Sequence, residues 1–281
     1  MNIIKHVKLL QTWRNSAQGT IGFVPTMGAL HRGHLSLVKQ SKIICDITLV
    51  SIFINPLQFA PNEDLTSYPR TLNKDLQCLK ELDVDIVFIP SNEEMEKVTC
   101  VKYLDQHNIF EILEGKSRPH FFYGVTTVVT KLFNITNPTY VFFGEKDAQQ
   151  LLIIKNMICD MNYNIILIPC PTIRNKNGLA LSSRNEYLSS SEKKEAALLY
   201  ASLLKIRNAI VEGETCSIKL KKIFEITLSQ SPKFAIDYIS IAEFNTLNEI
   251  EKINAGKLLI SAAVFFNKIR LIDNLLYQSS T

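Results

Sequence analysis

Short runs of consecutive apolar residues alternate with helical patterns over the first 175 residues of the chain. Five of these runs end at a proline, an asparagine or a glycine, and they predict β-strands at 20–24, 47–54, 84–89, 140–143 and 165–168. The runs are continuous rather than alternating, which is typical of strands covered on both faces. We therefore expect one buried sheet at the centre of this part of the chain.

Two stretches between these runs have the apolar spacing of helices. In the first, leucines recur at intervals of four, three and three, at Leu72, Leu76, Leu79 and Leu82. In the second, the intervals are three, four and three, at Leu151, Ile154, Ile158 and Met161. Each spacing places its residues on one stripe of a helix. Strands alternating with helices predict a doubly wound parallel sheet, a Rossmann-like α/β domain over 1–175, with ligands at the carboxyl ends of its strands.

The pattern of apolar and polar residues changes near Gly178, and residues 176–281 predict a smaller α+β domain that acts as a lid. Serines at 189–191 followed by Glu192 look like a helix start, with a helical pattern continuing through Val211. A second helix is predicted at 217–228. Strands are predicted at 236–241, 258–265 and 269–272.

Composition excludes several classes of protein. The chain has 281 residues, is 46% apolar, and carries a formal charge of +4 without long runs of like charge. This balance gives no footprint for nucleic acid or membrane binding. No secretory leader and no apolar stretch long enough to span a bilayer are recognised, so a cytoplasmic protein is expected. Six cysteines, none in a C-x-x-C pair, are predicted to be free thiols: Cys45, Cys78, Cys100, Cys159, Cys170 and Cys216.

The first predicted strand leads into P-T-M-G-A-L-H-R-G-H at 25–34, and a helix begins there. Gly28 and Gly33 allow a backbone to approach a ligand closely. His31 and His34 lie at the amino end of the helix, where free N–H groups and the dipole favour an anion. The alternative is a pair of ordinary turn histidines. The strand and the flanking glycines favour a phosphate site, and the turn resembles that of nucleotidylyl-transferring α/β enzymes.

Other polar residues follow later strands. Asn55 and Gln58 are neutral amides that suit hydroxyls and carboxylates, or else form a polar turn closed by proline. Lys146 follows the fourth strand and can place a point charge on a phosphate, or is a surface lysine. Gln150 lies one helical turn beyond Lys146. Two serines and an arginine after Gly178 suggest a phosphate-binding loop, or a helix cap with a surface arginine.

Six segments in order resemble the pantothenate synthetase family over about 22–190. They read P-T-M-G-A-L-H-x-G-H, S-I-F-x-N-P-x-Q-F, Y-P-R-T, L-E-G-x-x-R-P, F-G-E-K-D-x-Q-Q-L and G-L-A-x-S-S-R-N. The resemblance implies an ATP-dependent ligase that joins pantoate to β-alanine through a pantoyl adenylate, in pantothenate and coenzyme A biosynthesis. It also implies a homodimer. The last hundred residues match only in length and general texture.

The resemblance also implies site residues. ATP would be bound by Met27, Gly28, Ala29, Leu30, His31, Arg32, Gly33, His34, Gly144, Glu145, Lys146, Asp147, Ile173, Leu181, Ser182, Ser183 and Arg184. The catalytic groups would be His34, with His31 and Lys146 as further donors. Gln58 and Gln150 would hold pantoate, and Asn55, Tyr68 and Arg118 are further candidates for substrate binding. Mg²⁺ is expected on the triphosphate, with Asp75 as a candidate outer-shell partner.

One segment departs from the family pattern R-P-G-H-F-x-G-V. This chain has His120 where the family has glycine, and Phe121 where it has histidine. Loss of the glycine is expected to affect a local turn and the placement of Arg118. The other motifs are intact, so activity is expected to persist.

Two rival functions remain open. A nucleotidylyltransferase of the same superfamily would share the H-x-G-H turn but would not need Gln58 and Gln150. Pantoate-dependent ATP–pyrophosphate exchange separates these two. A non-catalytic binding protein, with His31 and His34 purely structural, is the third hypothesis.

Overall fold

The computed structural model describes residues 1–61, 63–98, 103 and 108–279. These residues form two compact units. The first unit takes the described residues of Met1–Gln106, Arg118–Glu145 and Gln149–Pro171, and the second those of His107–Ser117, Lys146–Ala148 and Thr172–Thr281. Two short segments from before residue 172 therefore belong to the second unit. The domain boundary near residue 175 stays a prediction.

The first unit is built on a six-stranded sheet in the order β1-β4-β3-β2-β5-β6. The strands are β1 (Asn2–Ile4), β2 (Ile21–Thr26), β3 (Ile47–Ile52), β4 (Ile86–Phe88), β5 (Tyr140–Gly144) and β6 (Ile166–Cys170). Every recorded pairing in this sheet is parallel. The doubly wound fold and the five predicted strands are confirmed. Strand β1 was not predicted, because three residues are too short to show a periodic pattern.

Helices flank the strands and connect them. The α-helices are α1 (Val7–Ser16), α2 (Arg32–Ile44), α3 (Leu72–Glu81), α4 (Asn92–Glu96), α5 (Glu114–Ser117), α6 (Phe121–Thr136), α7 (Ala148–Asp160), α8 (Ser190–Glu195), α9 (Leu198–Val211) and α10 (Ser217–Leu228). The helix expected to start at the serines 189–191 and to continue through Val211 is interrupted at Ala196 and Ala197. Its predicted start is confirmed, since Ser189 and Glu192 form a capping box. Within the described ranges, no helix is long and apolar enough to cross a membrane.

Helix α6 was not predicted from the sequence. Its residues are apolar on several faces and include many β-branched side chains, which have weak helix propensity. Eleven of its residues are buried. Burial therefore stabilises a helix that local propensity does not favour.

The second unit contains a three-stranded antiparallel sheet in the order β7-β8-β9. Its strands are β7 (Phe234–Glu243), β8 (Gly256–Phe266) and β9 (Ile269–Ser279). All three predicted strands are confirmed, although each is longer than expected. Helices α9 and α10 contribute Leu203, Ile206 and Phe224 to a core shared with Ile260 and Val264 of β8.

A buried ion network joins α5 to this sheet. Arg270 donates to both carboxylate oxygens of Glu114, at 2.6 and 2.8 Å, and to Asp237. Tyr238 donates its hydroxyl hydrogen to Glu114 at 2.9 Å. Burial, together with the nearby Glu114 charge, raises the pKa of Tyr238 well above its usual value. The phenol therefore stays protonated and remains a donor at neutral pH.

Five cysteines are confirmed as free thiols: Cys45, Cys78, Cys159, Cys170 and Cys216. The prediction for Cys100 lies outside the described residues. Burial, reinforced by the charge of Glu145, raises the pKa of Cys170 to about 11. This thiol stays protonated at neutral pH and is a poor nucleophile.

Candidate active site

A crevice is expected where strand order reverses, between β2 and β5. Pairing of β2 with β3 continues to Thr26 and Ile52, whereas pairing of β2 with β5 is recorded only at Gly22–Tyr140 and Phe23–Val141. Pro25 has no N–H with which to extend a ladder. The carboxyl ends of these two neighbouring strands are thus not joined by hydrogen bonds. In open α/β sheets this switch point is where ligands bind.

The turn after β2 is strained and is clamped by a buried carboxylate. Gly28 and Ala29 both have positive φ, +81° and +49°. Asp75, on α3, accepts hydrogen bonds from the backbone N–H groups of Ala29 at 3.0 Å and Leu30 at 2.9 Å. Thr71 also donates to this carboxylate, at 3.0 Å. Asp75 is only 1% exposed. It therefore holds the turn, and its predicted contact with a metal's outer shell stays a prediction.

His31 and His34 cap helix α2 reciprocally. His31 Nδ1 accepts from the Gly33 N–H at 3.1 Å, and His34 Nδ1 accepts from the His31 N–H at 3.4 Å. Their rings are stacked, with centroids 4.0 Å apart. The H-x-G-H spacing thus places one imidazole at the N-cap and the other in the first turn.

This capping sets which nitrogen of each ring carries hydrogen. An Nδ1 that accepts a hydrogen bond has no proton, so both neutral imidazoles are assigned as Nε2–H tautomers. Each ring is then a hydrogen-bond donor at Nε2, beside the positive end of the α2 dipole. Such a pair is suited to phosphate oxygens, whose negative charge increases during displacement at phosphorus.

Gln58 is held by Asn55 and contacts Met27. Asn55 donates to Gln58 Oε1 at 3.1 Å and to the Gly124 carbonyl at 3.0 Å, and accepts from the Leu57 N–H at 3.2 Å. Gln58 Nε2 lies 2.7 Å from the Met27 sulfur. Asn55 is 2% exposed. Both the oxygen and the NH₂ group of the Asn55 amide are hydrogen-bonded to neighbouring groups. Asn55 thereby positions the side chain of Gln58.

Helix α6 approaches the 3-10 helix Pro56–Gln58 very closely at Gly124. A Cβ at this position would overlap the backbone carbonyl of Leu57. Only glycine therefore allows the Gly124 carbonyl to reach Asn55. Gly124 is the second glycine of the family pattern R-P-G-H-F-x-G-V, but its contact with Leu57 is visible only in the fold.

Arg118 secures the chain on the other side of Gln58. Its guanidinium donates to both oxygens of Glu63, each at 2.6 Å, and to the Gln58 carbonyl at 3.1 Å. A role for Glu63 was not predicted from the sequence. Tyr68 is buried with its ring edge-on to Phe59, at 5.8 Å between centroids. Substrate contact by Arg118 and Tyr68 stays a prediction.

The departure at 120–121 places a histidine in a left-handed turn of the kind that glycine favours. His120 is the N-cap of α6 with φ +70° and ψ −9°, a left-handed conformation. Phe121 packs beneath Arg118, with the guanidinium carbon 3.7 Å from the ring centroid. His120 adopts this conformation at an energetic cost that glycine would not incur, and the expected effect on the placement of Arg118 stays a prediction.

Substitution His120→Gly is expected to stabilise the protein. A left-handed residue other than glycine costs about 1–2 kcal/mol, and the greater freedom of glycine in the unfolded chain offsets about 0.5–1 kcal/mol of the gain. The thermal midpoint should therefore rise by about 1–3 °C. His120→Ala, which keeps the strain, is the matched control in differential scanning fluorimetry. A glycine variant no more stable than the alanine variant would contradict this interpretation.

The second unit brings together other predicted residues. The Leu181 N–H donates to the Ile173 carbonyl at 2.9 Å. Ser182 caps the 3-10 helix Ser183–Tyr187 by accepting from the Arg184 N–H at 3.3 Å. Lys146 lies in the 3-10 helix Glu145–Asp147, with Nζ 4.0 Å from Asp147. These contacts place Ile173 beside the start of residues 181–184, which we call the serine–arginine loop.

The remaining predicted residues have simple positions. Arg32 and Gly33 form the first turn of α2, Gly144 ends β5, Glu145 follows it, and Gln150 is half-buried in the first turn of α7. Lys146 belongs to the second unit and the two histidines to the first. Their predicted convergence on one triphosphate stays a prediction.

Comparison with known proteins identifies the family. The sequence profile described as "Pantoate-beta-alanine ligase" matches residues 2–276. A pantothenate synthetase of Thermosipho africanus is 47% identical over 273 residues, covering 97% of this chain and 98% of that protein. One from Fervidobacterium nodosum is 50% identical over 257 residues, covering 92% and 91%.

Solved structures agree with the sequence matches. A crystal structure of pantothenate synthetase from Thermus thermophilus aligns with a TM-score of 0.91 at 39% identity, covering 98% of this chain and 99% of that one. A pantoate-beta-alanine ligase from Francisella tularensis, complexed with beta-gamma ATP and beta-alanine, aligns with a TM-score of 0.76 at 38% identity, covering 98% and 97%. With its fold, its capped H-x-G-H turn and these matches along nearly its whole length, the chain belongs to the pantoate-beta-alanine ligase family.

Proposed function

We propose that this chain condenses pantoate with β-alanine to form pantothenate, consuming ATP and releasing AMP and pyrophosphate. The observation that carries the proposal is the stacked pair His31 and His34, which caps α2 in a member of this ligase family. The Francisella relative, complexed with beta-gamma ATP and beta-alanine, supports the choice of co-substrates. The reaction belongs to pantothenate biosynthesis.

The first step forms a pantoyl adenylate. A carboxylate oxygen of pantoate attacks the α-phosphorus of ATP, the bond to the bridging oxygen breaks, and pyrophosphate leaves. Negative charge builds on the phosphoryl oxygens, so positioned donors lower the barrier. His34 and His31 supply Nε2–H donors, and the clamped turn at Gly28–Leu30 fixes where these rings lie.

Residues of the second unit are proposed to bind the rest of ATP. Lys146 contributes a positive charge, while Ser182, Ser183 and Arg184 provide donors for the β and γ phosphates. The backbone of Ile173 is assigned to the adenine. These roles rest on the family motifs and on the hydrogen-bonded arrangement of 173–184 within the second unit.

In the second step, the amine of β-alanine attacks the acyl carbon of the adenylate. The bond between that carbon and the bridging oxygen breaks, AMP leaves, and the nitrogen releases a proton to form the amide. The adenylate is labile to water, so exclusion of solvent is required until the amine reacts.

Gln58 and Gln150 are proposed to bind pantoate through its hydroxyls and carboxylate. Asn55 would act by orienting Gln58, as its buried amide contacts suggest. Arg118 and Tyr68 would contribute by holding the 58–68 segment. Neutral amides are suited to a substrate that carries two hydroxyls and one carboxylate.

Substitution Gln58→Leu is expected to raise KM for pantoate by about tenfold or more, because a pocket built for hydrogen bonds discriminates strongly against their loss. KM for ATP should change much less. Gln77→Leu, at an exposed glutamine on α3, is the control. Unchanged KM for pantoate in the Gln58 variant would remove this residue from the substrate site.

Mg²⁺ is proposed to accompany ATP. Within the described residues there is no group of three or more His, Cys, Asp or Glu side chains placed to hold a metal. Mg²⁺ commonly keeps several waters and binds mainly to substrate phosphates, which fits this absence of a protein cage. When bound, it would neutralise charge on the triphosphate. Asp75 is proposed as an outer-shell partner that acts through water, with both of its oxygens accepting hydrogen bonds from the turn.

The proposed function is tested with purified protein, ATP, Mg²⁺, pantoate and β-alanine, assayed for AMP and pantothenate. Formation of both products, each dependent on pantoate, is expected. Pantoate-dependent exchange of labelled pyrophosphate into ATP, without β-alanine, separates this ligase from a nucleotidylyltransferase. Absence of exchange and of product would reject the proposal. A cytoplasmic homodimer remains the prediction for location and assembly, measurable by fractionation and light scattering.

A further inference from the structure

Strand β9 carries two adjacent polar residues inside the second unit. Asp273 is 2% exposed and Asn274 is 8% exposed. Burying a charge or an amide is costly unless it is paired. Their partners are segments that the proposed function assigns to ATP, although neither residue belongs to a recognised motif.

Asp273 is paired with Arg174 by two hydrogen bonds of 2.6 and 2.8 Å. Arg174 also donates to the Gly178 carbonyl at 3.1 Å, and its guanidinium carbon lies 3.3 Å from the Tyr200 ring centroid. Arg174 thus connects the two sides of the loop at 174–180 to each other and to β9. The carboxylate is almost fully enclosed, so both of these charge-assisted hydrogen bonds are shielded from water.

The loop at 174–180 leads directly into the serine–arginine loop at 181–184. Arg174 and Ala180 form an antiparallel bridge, and the Leu181 N–H reaches the Ile173 carbonyl at 2.9 Å. Asn185 donates to the Ala180 carbonyl at 2.9 Å. The loop at 174–180, which Arg174 closes, therefore positions the backbone of residues 181–184.

Asn274 holds the other ATP segment. Its amide Nδ2 donates to the backbone carbonyl of Lys146 at 2.7 Å. This bond ties the backbone of Lys146 to β9 within the second unit. Two consecutive residues of one strand thus hold the lysine segment and the serine–arginine loop.

We propose that Asp273 and Asn274 are positioning residues that set Lys146 and residues 181–184 at a fixed spacing, so that both engage one triphosphate. The inference rests on the proposed ATP-binding roles of those segments. Neither residue touches substrate, and each acts through the backbone or side chain that it holds.

Substitution Asn274→Ala tests whether Asn274 positions Lys146. ATP affinity is measured by calorimetry on the full-length protein. Loss of one such hydrogen bond is expected to weaken ATP binding by about fivefold to tenfold. KM for β-alanine should remain within about twofold of the wild-type value. Ser261→Ala is the matched control. Ser261 faces Asn274 across the β8–β9 register, and among the described residues its buried hydroxyl has no hydrogen-bond partner.

A double-mutant cycle distinguishes positioning from general destabilisation. If Asn274 acts through Lys146, Asn274→Ala should change ATP affinity by less than about twofold when Lys146→Ala is already present. Equal effects in both backgrounds would overturn the inference, as would wild-type affinity in the Asn274 variant. Asp273→Asn should be coupled in the same way to Arg184→Ala, with thermal midpoints reporting any loss of fold.

The outcomes also separate this inference from the proposed function. If the wild-type protein shows pantoate-dependent exchange and the Asn274→Ala variant binds ATP normally, only the positioning role is overturned. Wild-type protein that binds ATP but shows no exchange would reject the ligase activity. In that case the calorimetric cycle would still decide whether Asp273 and Asn274 position an ATP site.

Discussion

Substitution His34→Asn is expected to reduce pantoate-dependent ATP–pyrophosphate exchange by about 10²–10³-fold, the usual effect of removing one preorganised donor from a charged transition state. Asparagine places an oxygen close to where His34 Nδ1 accepts from the His31 N–H, so the cap on α2 is retained. No atom of asparagine reaches the position of Nε2. Loss of activity with an intact helix would therefore report the missing donor.

Two comparisons make this prediction specific. In His34→Gln the longer side chain reaches the Nε2 position, so partial recovery of exchange is expected relative to asparagine. His6→Asn is the control, because His6 is also the N-cap of a helix but is exposed and makes no side-chain cap bond. Exchange within about threefold of wild type in His34→Asn would mean that His34 is structural only.

Substitution Asp75→Asn is expected to cause the largest loss of stability among these variants. Whichever way the new amide is oriented, its NH₂ group faces a donor, the N–H of either Ala29 or Leu30. Replacing a charged acceptor with an opposing donor in a buried site costs about 3 kcal/mol. That corresponds to a fall of roughly 5–10 °C in the thermal midpoint. The left-handed turn at Gly28 and Ala29 loses its clamp, so ATP affinity should fall as well.

The control for Asp75 is Glu81→Gln on the same helix, because Glu81 is exposed and its substitution should change stability by less than about 0.5 kcal/mol. Titrating Mg²⁺ against activity separates the two roles considered for Asp75. A variant that is destabilised but needs no more Mg²⁺ than wild type supports the clamp. A normal midpoint with a raised Mg²⁺ requirement would instead support the outer-shell role.

Local signals in the sequence were sufficient for much of the fold. Continuous apolar runs bounded by proline or glycine located five strands, because strands buried on both faces contain few polar residues. The H-x-G-H spacing predicted the paired imidazoles, since an N-cap and the third helical residue are neighbours in any helix. Where the local signal was weak, longer-range contacts determined the structure: β1 is held by its pairing with β4, and α6 by burial of eleven of its residues.

Long-range partners could not be predicted from the sequence. Asp75 is 46 residues from Ala29, and Asp273 is 99 residues from Arg174. The sequence shows that an acidic residue is present, but its partner depends on which loops the fold brings next to it. The backbone N–H groups that donate to Asp75 were therefore not predicted, and its contact with a metal's outer shell stays a prediction. Asn274 gave no signal, because one amide in an apolar strand has no spacing to interpret.

The fate of the two carboxylate oxygens of pantoate shows whether transfer of AMP activates this carboxylate. With ¹⁸O in both carboxylate positions of pantoate, the bridging oxygen departs with AMP when the amine of β-alanine attacks. The purified enzyme should therefore produce AMP carrying one labelled oxygen, and pantothenate retaining the other. Label in inorganic phosphate or pyrophosphate, or unlabelled AMP formed alongside pantothenate, would be incompatible with a pantoyl adenylate.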